Sequence, residues 1–66
     1  MKNTIKVQRA IKNITQSELA DIIGISRQSI SAIEKNKYVP STVLALKLAK
    51  YFEVSVEAIF ELTEED

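Results

Sequence analysis

Between residues 27 and 35 the chain places Arg27, Gln28, Ser31, Ala32 and Lys35 at intervals of one, three, one and three, the spacing of side chains that share one face of an α-helix. The chemistry open to such a face is directed hydrogen bonding. A guanidinium at the N-terminal edge can donate twice to a guanine, and the Gln28 amide can both donate to and accept from an adenine. Ser31 is short enough to let a partner approach, and the Ala32 methyl can touch a thymine methyl. Covalent chemistry has few tools here. Cys and His are both absent, which removes thiolate nucleophiles, imidazole bases, disulfides and zinc sites of the usual ligand types. Ser and Glu without an activating base leave no nucleophile, so no enzyme is expected.

On an arbitrary helix these side chains would be no more than a solvated surface. What distinguishes them is the turn that precedes them. Thr15 with Glu18 three residues on forms a capping-box pattern, which predicts a helix from about residue 15 to Ile23. Gly24 supplies the positive φ of a sharp turn, and Ser26 then caps a helix over Arg27 to Lys35. Leu19, Ala20, Ile23, Ile30 and Ile33 occupy apolar or small positions around that turn. Ala20 lets the second helix cross closely, and Ile30 and Ile33 turn that helix's apolar side inward. The pattern is a helix-turn-helix spanning residues 15–35.

Around it the apolar periodicity is of three and four, which predicts an all-α fold of five short helices. The first covers residues 3–12 and closes at Asn13, a residue that tolerates the left-handed conformation. A loop runs from Asn36 to Pro40, Ser41 caps a fourth helix ending near Phe52, and Ser55 caps a fifth running through Leu62. Leu44, Ala45, Leu48, Ala49 and Phe52 form the core face of the fourth helix. Val43 and Leu46 point to its other side. In the first helix Val7 and Ile11 make one apolar stripe and Ile5 lies opposite, and periodicity alone does not choose between them.

Sixty-six residues, 45% apolar and 27% charged, with one Gly and one Pro, suit one globular domain over residues 1–66. No apolar run approaches the roughly 18 to 20 residues of a membrane span, nor is there the apolar core of a signal peptide, so a cytoplasmic protein without a membrane partner is expected. Net charge is zero, but it is polarised. Residues 1–38 carry seven Lys and Arg against three Asp and Glu, and residues 39–66 carry two against six. The basic half is the part suited to phosphate, and the acidic end suits a solvated tail.

The run TQSELADIIGISRQSISAIEKNKYVPS, followed by KLAKYFEVSVEAIF, resembles the phage repressor and Cro-like helix-turn-helix family, often called the Xre family, in its short stand-alone form. The likeness extends from about Ile5 to Phe60. It implies a five-helix regulator of transcription, a repressor above all, that binds double-stranded operator DNA as a homodimer without cofactor or small-molecule ligand. Carried over by position, Gln16 would contact phosphate at the start of the second helix. Arg27 and Gln28 would read bases, with Ser31 and Ala32 next in reach. Lys35, Asn36, Lys37 and Tyr38 would touch phosphate from the following loop. Arg9 and Glu34 would form a structural ion pair. Several positions depart from the pattern: Gln8 and Thr42 stand where large apolar residues are usual, Asn36 replaces a common Gly, which Asn can imitate in a left-handed turn, and Val7, Ile11, Val43 and Leu46 are more apolar than typical exposed positions.

A core this small is marginally stable alone, and one recognition helix reads too few base pairs to be selective. In the fifth helix Val56, Ile59 and Phe60 should close the core while Ala58 and Leu62 project elsewhere. By resemblance the end of the fourth helix and the fifth helix are where short members pair, so residues 41–62 would supply core and dimer, with Leu46, Phe60 and Leu62 at or near a twofold interface. Val7 and Ile11 are the alternative interface. The rival function is a protein-interaction module of the same fold, such as an antitoxin-like partner binder, which would not need Arg27 and Gln28. RNA binding lacks the exposed aromatic pairs that stack bases.

Overall fold

In the computed structural model, which describes residues 1–66, four of the five helices begin at a hydroxyl that takes up a free backbone amide. Helix α2 (Gln16–Ile23) carries the full capping box: Thr15 Oγ1 accepts from the Glu18 amide at 3.1 Å, and Glu18 Oε1 accepts from the Thr15 amide at 3.0 Å. Ser26, Ser41 and Ser55 cap α3 (Arg27–Glu34), α4 (Thr42–Phe52) and α5 (Val56–Ile59) in the same way. Each such cap stabilises its helix by about 1 kcal/mol relative to Ala. Helix α1 (Ile5–Lys12) is the exception, because Thr4 makes no side-chain cap and the Ile5 amide donates instead to Asn3 Oδ1 at 3.2 Å.

Left-handed residues end three of these helices. Gly24 closes α2 at φ 87°, and a Cβ placed there would meet nothing within 4 Å. Glycine is therefore required by the backbone angle and not by space. Asn13 closes α1 at φ 56°, and Asn36, one residue past the C-cap of α3, has φ 61°, so it takes the glycine-like role its side chain permits. Glu53 closes α4 at φ 58°, a left-handed position that the sequence patterns do not mark.

Two helix boundaries differ from the periodicity reading. The first helix starts at Ile5 rather than residue 3, and the fifth stops at Ile59 rather than Leu62. Both changes have one cause. Strand β1 (Lys2–Asn3) pairs antiparallel with β2 (Phe60–Glu61), setting Lys2 opposite Glu61 and Asn3 opposite Phe60. Thr4 reinforces the pairing: its amide donates to the Ile59 carbonyl at 2.8 Å and its hydroxyl to the Ala58 carbonyl at 2.9 Å. Those are the carbonyls that Leu62 and Thr63 would need to continue the helix, so the chain turns extended at Phe60.

The core is twelve residues, all apolar, with Ile5, Leu19, Ile30, Ile33, Leu48 and Ile59 fully enclosed. Ile5 resolves the first helix. It points inward, and the Val7 and Ile11 stripe stays exposed. Leu44, Leu48, Ala49 and Phe52 of α4 are buried, with Ala45 packed at the edge. Helices α2 and α3 pack together more extensively than any other two elements, and the nearly inaccessible Ala20 lies on α2, where a small side chain allows a close crossing. The fold is thus all-α apart from its two-residue ladder. No helix is long and apolar enough to cross a membrane.

Candidate nucleic-acid interface

Ser26 sets the start of α3, and burial of Ile30 and Ile33 sets its rotation. With those two turned inward, Arg27, Gln28, Ser31, Ala32, Lys35 and Lys37 line one shallow depression on the outer face. Arg27, Gln28, Lys35 and Lys37 are exposed and Ser31 and Ala32 half-buried, so the floor is short side chains and the rim is cations and an amide. An eight-residue helix is about 12 Å long, close to the roughly 12 Å width of a DNA major groove. None of the long rim side chains is engaged inside the chain. The only side-chain ion pair is elsewhere, between Arg9 and Glu34.

That pair holds the depression in place. Arg9 Nε donates to Glu34 Oε2 at 2.6 Å and a terminal nitrogen donates to Glu34 Oε1 at 3.1 Å, while the other terminal nitrogen reaches the Ile14 carbonyl at 3.2 Å. Gln16 Nε2 donates to the same Glu34 Oε1 at 3.1 Å. One carboxylate thereby ties α1, α2 and α3 together, and the angle between α2 and α3 becomes a property of three hydrogen-bonded side chains. For Gln16 this is a role the sequence did not suggest: one of its amide hydrogens is held by Glu34, and its carbonyl oxygen remains free.

Burial alone would raise the Glu34 pKa, but the hydrogen bonds from Arg9 and Gln16 and the nearby Arg9 and Lys6 charges outweigh it and hold the carboxyl below its usual range. The Arg9 guanidinium is raised by its hydrogen bond to Glu34 against an opposing desolvation, so it stays charged throughout. A carboxylate depressed in the folded state contributes stability that is present above its unfolded pKa and is lost as pH falls through the folded value. Glu34→Gln should therefore cost about 1.5 to 3 kcal/mol at pH 7, the range for a hydrogen bond to a charged group. The gap to wild type should begin to narrow as pH falls below 4.5, the ordinary carboxyl value, and should close as pH passes the lower value of the folded Glu34 carboxyl. Urea unfolding of both proteins at pH 7 and pH 3 measures it. A gap independent of pH would mean that the Glu34 charge does not matter.

The remaining residues of interest lie in two further places. Asn36, Lys37 and Tyr38 follow α3 on the exposed loop, with the Asn36 amide bonded to the Ile33 carbonyl at 3.0 Å and the Lys37 amide to the Ala32 carbonyl at 2.9 Å. Leu46 is 56% exposed and Leu62 76%, but Phe60 only 8%. Phe60 belongs to the core of one chain and offers an edge, not a face, to a second copy. Leu46 and Phe60 border one apolar groove with Val39, Pro40, Ala45 and Val56, and Leu62 lies outside it, among Lys2, Glu61 and Glu64. The three are not one continuous patch.

Asn3 is the residue that sequence reasoning missed. It falls inside the helix that periodicity drew from residue 3, yet its side chain reaches α3: Nδ2 donates to the Ile33 carbonyl at 2.8 Å and to Asn36 Oδ1 at 3.0 Å. The available signal was its type, since Asn two residues before the first buried apolar residue is a capping residue more than a helical one.

Two short helices joined at a left-handed glycine, with the second presenting unengaged Arg, Gln and Lys side chains, define a helix-turn-helix domain. The helix-turn-helix family model matches residues 5–59. An uncharacterized HTH-type transcriptional regulator of Methanocaldococcus jannaschii is 57% identical over 60 residues, 91% of each chain. The uncharacterized HTH-type transcriptional regulator YgzD of Bacillus subtilis is 46% identical over 66 residues, the full length of both. The ImmF control region 10 kDa protein of Bacillus phage phi105 is 40% identical over 45 residues, 68% of this chain and half of the phage protein. The chain belongs to the helix-turn-helix family, in its Xre-type branch. The family is one of non-enzymatic DNA-binding domains that serve in transcription regulation.

Proposed function

We propose that this chain is a sequence-specific transcriptional regulator that reads a pseudo-palindromic operator in double-stranded DNA as a homodimer, one copy of α3 in each of two major grooves. The observation that carries this reading is the contrast between two arginines. Arg9 has its guanidinium taken up by Glu34 and Ile14, whereas Arg27 makes no hydrogen bond within the chain and sits on the rim of the α3 depression beside Gln28. Arg27 and Gln28 read base edges, Ser31 and Ala32 admit the groove edge closely, and Lys35, Asn36, Lys37 and Tyr38 meet phosphates. The free Gln16 carbonyl cannot donate to a phosphate, so its contribution comes from the second amide hydrogen. A dimer seated over its operator acts by occupancy, which is repression wherever that site overlaps a promoter.

Phosphate contacts have a signature in salt. Replacing Lys35 or Lys37 with Ala should weaken binding to every duplex alike and reduce the slope of log affinity against log salt by about 0.9 for each phosphate no longer neutralised. Titration of a labelled duplex at four salt concentrations reads it. Binding with no salt dependence, or an unchanged slope in both variants, would remove these lysines from the interface.

A further inference from the structure

The loop after α3, which the proposed function sets against phosphate, is not held by α3 alone. Its backbone is anchored to the end of that helix through Asn36 and Lys37, and one side chain from outside α3 hydrogen-bonds it, that of Asn3. Asn3 stands on β1, directly opposite Phe60 of β2. Its amide is used at both ends. Oδ1 accepts from the Ile5 amide at 3.2 Å, where Thr4 supplies no cap. Nδ2 donates to the Ile33 carbonyl at 2.8 Å, at the C-terminal end of α3, and to Asn36 Oδ1 at 3.0 Å. Asn3, Ile33, Asn36, Tyr38 and Pro40 surround a small cavity beneath the loop, and Asn3 takes no part in the depression on α3. Asn3 therefore lies behind the proposed contact surface and not on it.

Because Asn36 Oδ1 accepts from Asn3, the Asn36 side-chain amide is turned so that its own N–H groups face away from the clamp, the orientation in which they can donate to a phosphate. Asn36 also holds φ 61°, a conformation costly for most side chains, and a hydrogen bond to it from a fixed strand favours that conformation over the alternatives open to a free loop. We infer that Asn3 is a positioning residue for DNA binding: it presents Asn36, and with it Lys37 and Tyr38, to the phosphate backbone by clamping the loop to the β1–β2 ladder. This rests on the proposed function, and it adds that the two strands of that ladder, from opposite ends of the fold, help set the DNA-facing loop.

The test is a double-mutant cycle on DNA binding. In Asn3→Ser the hydroxyl can still accept from the Ile5 amide but is too short to reach Ile33 or Asn36, and no charge changes. Asn36→Gly removes the loop's side of the clamp while keeping a residue at ease at positive φ. Circular dichroism first establishes that each variant is folded at the assay temperature. Asn3→Ser should weaken binding to unrelated duplexes about three- to tenfold and lower the salt slope by about 0.9, the signature of Lys37 withdrawn from its phosphate. Added to Asn36→Gly it should cost nothing further. A purely structural Asn3 would lower the unfolding midpoint and leave affinity and slope of the folded protein at wild-type values, which overturns the inference. So does an affinity loss of the same size with and without Asn36→Gly. If Asn3→Ser does not fold, Asn3→Thr, whose β-branched side chain suits strand β1 and is equally too short to reach Ile33 or Asn36, takes its place with the same readings. Wild-type protein that binds no duplex brings down the proposed function and this inference together, whereas wild-type binding with an indifferent Asn3 brings down the inference alone.

Discussion

Arg27→Ala and Gln28→Ala should each lower affinity for the preferred operator by about 1 to 3 kcal/mol per half-site, and each should relax the choice of base at one position while leaving the others as they are. The rotation of α3 dictates which side chains are exposed to this test. Burial of Ile30 and Ile33 leaves the helix one outward face, and the long donors on that face, Arg27 and Gln28, are at its N-terminal end, the end a recognition helix directs into the groove. Truncating either side chain removes both hydrogen bonds of a bidentate pair at once. On a palindrome it does so twice, so the affinity of a dimer falls by about 2 to 6 kcal/mol. Neither side chain bonds within the chain, so the thermal unfolding midpoint of both variants should match that of wild type. A variant that binds as tightly as wild type would show that α3 is not the reader.

The second large effect concerns pairing. A 66-residue chain has a core close to the lower size at which a domain stands alone, and Leu46 and Val39 remain exposed at the groove that Phe60 borders. Two copies joined through Leu46 and the edge of Phe60, with Leu62 at the margin, would bury that surface and set the recognition helices about 34 Å apart, one turn of DNA. Leu46→Glu should then abolish self-association and weaken binding to a two-half-site operator by about 100-fold or more, because the second half-site is no longer bound at high effective concentration. Binding to an isolated half-site should be unchanged. Leu62→Glu should have a smaller effect of the same kind. Sedimentation equilibrium with and without duplex reads both. A wild-type protein that remains monomeric at tens of micromolar and occupies one half-site independently of the other would contradict the dimer, and loss of association in Val7→Glu instead would move it to α1.

What could be read from sequence was whatever is written within four or five residues. The Thr15 and Glu18 capping box, the Ser26, Ser41 and Ser55 caps and the Gly24 turn each depend on neighbours, and the structure shows all of them. Asn13 and Asn36 were legible as left-handed because Asn tolerates that region. Glu53 was not, since nothing in its type announces a positive φ. The β1–β2 ladder joins residues nearly sixty apart. A two-residue strand has no periodicity to detect, so helical periodicity alone runs α1 and α5 past their ends at Ile5 and Ile59. The candidate site divides along the same line. The outward face of α3 follows from helical geometry and two isoleucines, but the Gln16 bond to Glu34 and the Asn3 clamp on Asn36 depend on which helices meet.

If α3 reads bases through Arg27 and Gln28, changing one of these side chains should change the preferred sequence and not only the affinity. Selection of bound fragments from a random duplex pool, run in parallel with wild-type protein and Gln28→Arg, measures that preference. Wild type should enrich two inverted half-sites centred about 10 base pairs apart. Gln28→Arg should enrich the same spacing with one base pair changed in each half-site, symmetrically, in the direction of guanine. Enrichment of an identical motif by both proteins, or of none by wild type, would contradict base reading by α3.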